Sequence, residues 1–457
     1  MKRCWLLGLM IGVMALSGCA MYSHTNIKGV TREAVAGKAT FAIHRPRGQS
    51  KDTLVILALS GGGSRAAYWS GNVMLALEDV FAQEGWNLLH EVDAISSVSG
   101  GSLPAAYYAI TGDSEEEASK LPSKRVWNRD TVHTLMRRNY RLRWVGSWFL
   151  PVNIARFWFT AYDRSDIMAQ TFADNLYDQP MMGRDLRFRD INPNRPNLII
   201  NATDGTADHF GQPFTFTTEQ FQRLDSDLAD YKIARAVMAS AAFPGAFNYM
   251  TLRDYSTDGH YYHVFDGGNY DNLGLLSALL VLETNRDRFD RFVVILVDAY
   301  VPGGGVDHDR YDGRGVLDFG VDLNFLDSFD SLLAVNRARI LDIFTNYLEQ
   351  TFGDRSLFYH LVFDDIGDEN LRQRLQSIKT DFKIQAEDVN AINRATASLI
   401  VPDNDCLRQI RILLAGGHYP DGPLCRWRPP SKASMTCQRT KNQQCDFGFS
   451  RMVNRSW

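Results

Sequence analysis

The chain has 457 residues, of which 45% are hydrophobic and 12% aromatic, and its formal net charge is −4. This composition provides for a full hydrophobic core and excludes a disordered chain, and the charge gives no indication of nucleic-acid binding. After the first twenty residues no apolar run is long enough to predict a membrane span.

The N-terminus has the pattern of an export signal. Met1-Lys2-Arg3 is basic, residues 5–16 are apolar but too few to span a bilayer comfortably, and Leu16-Ser17-Gly18-Cys19 follows. This resembles the lipobox of bacterial lipoproteins, which implies a signal peptide over residues 1–18 and a lipidated Cys19. Ala20 in place of an aspartate favours the outer membrane, facing the periplasm. The alternative is an ordinary secretory signal peptide followed by a coincidental cysteine.

A glycine-rich turn follows the first strong strand pattern. Residues 54–59 are apolar and run into Ser60-Gly61-Gly62-Gly63-Ser64-Arg65, after which an amphipathic helical pattern continues to about residue 84. Three glycines leave backbone N–H groups unshielded at a helix N-terminus, so the loop could hold an oxyanion. The spacing also fits a loose dinucleotide-binding pattern, but the next strand lacks the acidic residue that such a site needs.

A second turn presents a serine. The pattern of residues 92–95 predicts a buried strand, and that of residues 103–110 predicts a helix with Pro104 in its first turn. Between them, Gly100 and Gly101 give the room that a nucleophile elbow needs, which makes Ser99 the candidate nucleophile. Ser97 stands where the usual elbow pattern has its first glycine.

Residues 139–151 and 154–159 mix aromatic side chains with arginines. This composition is typical of surfaces that lie at a lipid headgroup layer, which would make the segment a lid or a membrane-facing wall. The alternative is that the aromatic side chains form a core under a long loop.

A third motif supplies a carboxylate. Residues 261–265 predict a short strand that leads Asp266 into a Gly-Gly turn, where it could take a proton from a serine hydroxyl. The order serine, acid, histidine would also allow a Ser-His-Asp triad with Asp266 or Asp298. The sequence does not single out a partner among the candidate histidines His209, His260, His263, His308, His360 and His418.

Taken in order, Ser-Gly-Gly-Gly-x-Arg, Ser-x-Ser-x-Gly and Asp-Gly-Gly resemble the patatin-like phospholipase family, with serines that lean toward its cytosolic phospholipase A2 relatives. Asn201-Ala202-Thr203-Asp204 and residues 234–244 add to the resemblance, which covers roughly residues 52–300. It implies a Ser-Asp dyad of Ser99 and Asp266, and an oxyanion hole made by the amides of Gly61, Gly62 and Gly63. Arg65 matches the family's arginine and is a candidate for a substrate phosphate, or else a structural residue that caps the loop.

Strand patterns near residues 54–59, 92–97, 197–202, 261–265 and 292–298 alternate with helical patterns. They predict an α/β fold, a three-layer α/β/α sandwich of the patatin type with a mostly parallel central sheet. The expected organisation is a signal peptide (1–18), a tether with a first strand around 40–44 (19–50), a catalytic domain (51–300), a loop and helical extension (301–400) and a cysteine-containing tail (401–457).

The extension and tail continue this organisation. Residues 301–322 predict a loop, and residues 323–352 and 387–400 predict helices. The four cysteines of the tail, Cys406, Cys425, Cys437 and Cys445, are expected to form two disulfides with three possible pairings. Zinc binding is the alternative, although the spacings are poor for zinc.

The predicted activity is hydrolysis of a carboxylic ester in a phospholipid or another acyl lipid through an acyl-enzyme on Ser99. No metal or cofactor is expected, and the predicted contact with the membrane is through lipidated Cys19. An acyltransferase or thioesterase would use the same intermediate. A binding or scaffolding lipoprotein without catalysis is the alternative from another class.

Overall fold

A computed structural model describes residues 25–44, 46–179, 183–301, 324–417 and Cys425, and these residues form ten strands and sixteen α-helices. Eight of the strands make one central sheet, and the other two pair with each other. The strands are β1 (Thr53–Leu59), β2 (Ala94–Val98), β3 (Asp178–Gln179), β4 (Arg184–Asp185), β5 (Asn197–Asp204), β6 (Gln212–Thr215), β7 (Met250–Asp254), β8 (His260–Asp266), β9 (Arg291–Val297) and β10 (Ser356–Leu361).

The helices are α1 (Glu33–Ala36), α2 (Gly63–Asp79), α3 (Ser102–Ile110), α4 (Glu115–Lys120), α5 (Arg129–Met136), α6 (Tyr140–Trp148), α7 (Pro151–Phe159), α8 (Arg164–Leu176), α9 (Thr218–Arg223), α10 (Ile233–Ser240), α11 (Gly268–Asp271), α12 (Leu275–Asn285), α13 (Asn324–Thr351), α14 (Glu369–Gln376), α15 (Ala386–Leu399) and α16 (Asp405–Leu414).

The central sheet has eight strands, in the order β10-β9-β1-β2-β5-β8-β7, with β6 paired to β5. The five strands from β10 to β5 are parallel, whereas β6, β7 and β8 join by antiparallel pairing. A mostly parallel sheet therefore carries an antiparallel margin, and the carboxyl ends of β1, β2 and β9 lie at one edge of it.

Helices cover both faces of the sheet, as a parallel sheet requires. Every residue of β1 is buried, and Val55, Leu57 and Leu59 join the main apolar cluster together with Trp69 of α2. The intervening β1 residues are also fully buried, so they face helices on the opposite side. The expected three-layer α/β sandwich is confirmed.

Two features differ from the sequence prediction, and a third lies mostly outside the described residues. Residues 40–44 form bends instead of a first strand, because side chains satisfy their amides: Glu219 Oε1 accepts from Phe41 and Asn285 Oδ1 accepts from Ile43. The sequence did not predict strands β3, β4, β6, β7 and β10. Most of the predicted loop over residues 301–322 lies outside the described residues.

The helical extension agrees with the sequence. Helices α13 and α15 match the predicted helices 323–352 and 387–400, and a disulfide joins Cys406 of α16 to Cys425. Residues 1–24 and 426–457 lie outside the described residues, so the predicted signal peptide, Cys19, Cys437 and Cys445 do so as well. Among the helices of the described residues, none combines the length and the apolar character needed to cross a bilayer.

Candidate active site

The register of the sheet places the Ser99 turn and Asp266 next to each other at the same end of the strands. Val98, the last residue of β2, pairs with Asn201 of β5, and Asp266, the last residue of β8, pairs with the next β5 residue, Ala202. Ser99 and Asp266 therefore leave the sheet on either side of β5, close to one another, although 167 residues separate them in the chain.

Ser99 occupies a sharp strand-to-helix turn. Its φ is +48°, a left-handed conformation that is uncommon for a serine, and helix α3 begins at Ser102. A Cβ atom at Gly100 would lie 2.1 Å from the carbonyl oxygen of Gly63, so only glycine allows this close approach of the two turns. The elbow geometry is present with Ser97 in place of the usual glycine, and the Ser97 hydroxyl is buried against the Ile199 carbonyl.

The hydroxyl of Ser99 donates a hydrogen bond to Asp266, with 3.1 Å between Oγ and Oδ2. Both side chains are nearly buried, and the other carboxylate oxygen of Asp266 accepts the Gly268 N–H at 2.8 Å. Burial raises the pKa of Asp266 to about 7, and the hydrogen bonds from Gly268 and Ser99 oppose that rise. A carboxylate of this basicity, in contact with a serine hydroxyl, is suited to act as a general base near neutral pH.

The three glycine amides of the first turn differ in what they contact. The Gly61 N–H donates to the Asn272 carbonyl at 2.9 Å, so the expected role of Gly61 as an oxyanion donor does not fit this structure. The Ser64 N–H donates to the Asp381 carbonyl at 2.7 Å. Within the described residues the N–H groups of Gly62 and Gly63 have no acceptor, and they lie at the N-terminus of α2, where the helix dipole favours negative charge.

A comparison with known families assigns this region. Residues 57–279 match the family Patatin, described as patatin-like phospholipase. Residues 57–279 form a patatin-like phospholipase domain.

Two kinds of solved structure resemble the chain. VipD from Legionella pneumophila has a TM-score of 0.31 and 12% sequence identity, over 88% of this chain and 72% of that protein. Human GIVD cytosolic phospholipase A2 has a TM-score of 0.45 and 12% identity over 80% of this chain, which spans 60% of the length of the human chain. The same human protein in complex with the inhibitor methyl gamma-linolenyl fluorophosphonate has a TM-score of 0.41. No curated protein sequence matches the chain.

In the patatin-like domain Arg65 is a buried side chain bonded to backbone. Its Nε donates to the Ala299 carbonyl at 2.8 Å and its Nη1 donates to the Ile378 carbonyl. These contacts correspond to the structural role that the sequence left open, since they tie the start of α2 to the segments that follow β9 and α14. The binding of a substrate phosphate by Arg65 stays a prediction.

A polar network under the elbow was not predicted from the sequence. Ser240, at the end of α10, accepts the Ser99 N–H at 2.8 Å and donates to the Asn201 carbonyl at 2.5 Å. The side-chain amide of Asn201 in turn donates to Ser96 Oγ and to the Ser97 carbonyl. Both Ser240 and Asn201 lie in segments that carry the family resemblance, but no local pattern predicts that they would meet the elbow.

The structure does not assemble the alternative triad from the described histidines. None of them is hydrogen-bonded to Ser99 or Asp266, and His308 and His418 lie outside the described residues. Asp298, the other candidate acid, instead pairs with His360 at 3.0 Å and with Arg337 at 2.8 Å. Burial alone would raise the pKa of Asp298, but the Arg337 guanidinium and the hydrogen bond to His360 outweigh it and hold that pKa well below its usual range, so Asp298 stays ionised within a structural cluster.

One group of side chains in the described part of the chain has donor atoms close enough for a metal. Glu78, His90 and Asp113 offer three ligand atoms within 4.8 Å of one another. Asp113 is already paired with Arg195, and Trp127 donates to Glu78. Glu78 is sixteen residues along α2 from the glycine turn, about 24 Å at the helical rise, so this group takes no part in the chemistry at Ser99.

The aromatic segment forms helices α6 and α7, which we call the aromatic hairpin (residues 140–159). Trp144 is buried against Phe247, with 4.7 Å between ring centroids, as the core interpretation predicted for this residue. Trp148, Phe149, Phe157, Trp158 and Phe159 are exposed, by 38 to 84%. The core interpretation therefore holds for Trp144 alone among these aromatic residues.

Proposed function

We propose that the chain is a membrane-anchored lipid acyl hydrolase that cleaves the carboxylic esters of phospholipids or other acyl lipids. The observation that carries this proposal is the 3.1 Å hydrogen bond between Ser99 Oγ and Asp266 Oδ2, placed at the elbow of a patatin-like phospholipase domain. The family supports hydrolysis of lipid esters in general, and the geometry supports Ser99 and Asp266 as the catalytic pair.

In the first half-reaction Asp266 Oδ2 takes the proton of Ser99 Oγ as that oxygen attacks the ester carbonyl carbon. The carbonyl oxygen becomes an oxyanion, which accepts hydrogen bonds from the N–H groups of Gly62 and Gly63. As the tetrahedral intermediate collapses, the bond to the alcohol oxygen breaks and Asp266 returns its proton to that oxygen. The products are an acyl-enzyme on Ser99 and the free alcohol.

In the second half-reaction water replaces the alcohol. Asp266 takes a proton from the water while the water oxygen attacks the acyl carbon, and the N–H groups of Gly62 and Gly63 stabilise the second oxyanion. Collapse of this intermediate breaks the bond to Ser99 Oγ, which regains its proton from Asp266, and the fatty acid leaves.

Covalent labelling with a fluorophosphonate probe tests the pair. We expect the parent protein to be labelled, Ser99→Ala to give no labelling and Asp266→Asn to react much more slowly, because the hydroxyl then lacks a base. Ser119→Ala, which removes an exposed hydroxyl, is the control and should be labelled like the parent. Labelling that persists in Ser99→Ala, or a folded parent that does not react at all, would overturn the assignment.

The anchor is a separate part of the proposal. We infer from the Leu16-Ser17-Gly18-Cys19 pattern that cleavage before Cys19 and acylation of its thiol attach the protein to the bacterial outer membrane, facing the periplasm. Metabolic labelling with an alkynyl fatty acid should mark the parent and not Cys19→Ser. Equal labelling of the two, or a mature N-terminus other than Cys19, would contradict the anchor without affecting the catalytic assignment.

A further inference from the structure

The aromatic hairpin carries a concentrated apolar surface. Half of the eighteen large hydrophobic residues that are exposed in the described part of the chain belong to residues 142–159. They are Leu142, Trp148, Phe149, Leu150, Val152, Ile154, Phe157, Trp158 and Phe159. Scattered exposed apolar residues are ordinary, but nine of them within eighteen residues, on two short helices and their connection, have the character of an interaction surface.

The same segment is strongly basic. Residues 131–162 contain five arginines and no aspartate or glutamate, although the whole chain has a net charge of −4. In the hairpin, Arg143 and Arg156 are exposed beside the apolar side chains. Apolar and aromatic side chains flanked by arginines complement an anionic lipid surface, whose headgroups attract the arginines while its acyl region accepts the rings.

The hairpin is fixed to the body of the molecule, so its exposed side chains are not those of a frayed segment. Trp144 is buried against Phe247, and its indole N–H donates to the Arg164 carbonyl at 2.8 Å. Asn153 of α7 is also buried, and its side-chain amide donates to the Ser147 carbonyl of α6 at 2.9 Å. Helix α6 therefore packs against the body of the molecule through Trp144, and α7 is held to α6 through Asn153.

The base of the hairpin reaches the glycine turn through two residues. The N–H of Tyr140 donates to the Phe382 carbonyl at 3.0 Å, and Arg141 pairs with the Asp381 carboxylate at 2.7 Å. The Asp381 carbonyl in turn accepts the Ser64 N–H, and a Cβ atom at Gly63 would lie 2.5 Å from that same oxygen. The base of the hairpin therefore contacts the same segment that contacts the turn with the candidate oxyanion donors.

From these contacts we propose that the aromatic hairpin docks on the surface of an anionic lipid bilayer, with Phe149, Phe157 and Phe159 entering the headgroup layer. The inference deepens the proposed function, because docking at this place would bring membrane lipid to the side of the glycine turn. It does not depend on the chemistry at Ser99, since a protein without that hydroxyl would dock equally well.

Vesicle flotation of the full chain carrying Cys19→Ser and Ser99→Ala tests the docking. These two changes remove the predicted acyl anchor and the predicted nucleophile, so that neither anchoring nor hydrolysis affects the result. We expect this protein to float with vesicles of equal parts phosphatidylglycerol and phosphatidylcholine. Adding Phe149→Ser and Phe159→Ser should weaken vesicle binding by roughly tenfold or more, because two exposed rings lose their transfer into lipid.

Two further comparisons make the result specific. Val30→Ser with Ile412→Ser removes exposed apolar side chains elsewhere and should leave flotation unchanged. Arg143→Gln with Arg156→Gln should weaken binding to the anionic vesicles several-fold, and high salt should have the same effect on the parent.

Equal flotation of the parent and the Phe149→Ser/Phe159→Ser protein would overturn the proposal, since the shared N-terminus would then account for the binding. A parent that sediments as a dimer, and becomes a monomer with these two substitutions, would also overturn it by showing that a second copy covers the surface. In either case the fluorophosphonate result for Ser99 would stand unchanged.

Discussion

At the scale of single residues, the candidate nucleophile is held in an unfavourable conformation by its neighbours. A serine with a φ of +48° costs on the order of 1 kcal/mol relative to an ordinary conformation, so other contacts must hold it there. The Ser99 N–H points to Ser240 Oγ, which is itself fixed by the Asn201 carbonyl. Ser240 is therefore a positioning residue for the elbow.

Replacement of Ser240 tests this role. In Ser240→Ala the buried Ser99 N–H loses its acceptor, so we expect fluorophosphonate labelling to slow by about tenfold, the equivalent of one lost hydrogen bond. Ser102→Ala is the matched control, because the Ser102 hydroxyl is also buried and contacts Ser97 and Ser240 without touching Ser99. Equal slowing in the two variants would show a general packing effect instead of a role at the elbow.

The burial of Asp266, which makes it a stronger base, lowers the stability of the folded protein. Its pKa rises from an ordinary 3.8 to about 7 on folding. Below about pH 3 the group is protonated in both the folded and the unfolded chain and does not affect stability. As the pH rises toward 7, Asp266 ionises in the unfolded chain before it ionises in the folded protein, so the free energy of unfolding falls. Once Asp266 is ionised in the folded protein too, the total fall is on the order of 4 kcal/mol.

Asp266→Asn should therefore be more stable than the parent at pH 8 although it reacts much more slowly, and the difference in stability should disappear near pH 3. Denaturant unfolding at the two pH values measures it. Asp287→Asn, which changes an exposed carboxylate, should show no such pH-dependent gain. A variant no more stable than the parent at pH 8 would mean that burial does not penalise the charged form of Asp266.

At the scale of elements, the glycine turn and the elbow depend on each other. The turn after β1 passes so close to Gly100 and Gly101 that backbone atoms of one fill the space of a side chain in the other. Neither element could form with larger residues, and their contact places two unpaired amides beside the nucleophile. This is a structural reason for glycine that is separate from the need for free N–H groups.

Gly62→Ala tests the role of this turn. Gly62 has a φ of +138°, which strains an alanine, and an added methyl would meet the Arg65 guanidinium at 3.0 Å, so the turn or the guanidinium must shift. Loss of one oxyanion donor lowers hydrolysis rates by about 10² to 10³ in enzymes of known mechanism, and we expect a fall of that order in ester hydrolysis. Gly85→Ala imposes a positive φ of 74° on an alanine in open space, so it should lose stability and keep activity.

If Gly62→Ala and Gly85→Ala lost activity in equal measure, the glycine turn would have no specific part in the reaction. Hydrolysis of a soluble aryl ester, measured beside thermal unfolding for both variants, distinguishes the two cases. A soluble substrate is the right choice, because it does not depend on docking of the aromatic hairpin.

The sequence predicted those elements whose signals are local. Ser99 and Asp266 each end an apolar strand and enter a small-residue turn, so both could be found without knowledge of the fold. Residues 40–44 have the composition of a strand, but Glu219 and Asn285 satisfy their amides instead of a neighbouring strand. Ser240 could not be assigned in advance, because its role comes from a contact across 141 residues.

At the scale of the whole molecule, the two ends of the parallel strands have different roles. The carboxyl edge carries the glycine turn and the elbow, and the aromatic hairpin reaches that turn through Asp381 and Phe382. The opposite edge is held by the C-terminal helix α16, whose Leu413 carbonyl accepts a hydrogen bond from Arg291 at the start of β9. Changes near α16 should therefore affect stability and leave the chemistry at the other edge intact.

The Cys406–Cys425 disulfide involves the same helix, since Cys406 lies in the first turn of α16. Closing a loop with a sequence separation of 19 restricts the unfolded chain, which in the chain-entropy model stabilises the fold by about 3 kcal/mol. We expect Cys406→Ser with Cys425→Ser to lower the free energy of unfolding by about this amount and to leave the rate of fluorophosphonate labelling unchanged. Cys437→Ser with Cys445→Ser is the matched control, because it keeps this bond while removing the predicted second one. A slower labelling rate in the first variant would show that the two edges of the sheet are coupled, and unchanged stability would show that this bond does not restrict the unfolded chain.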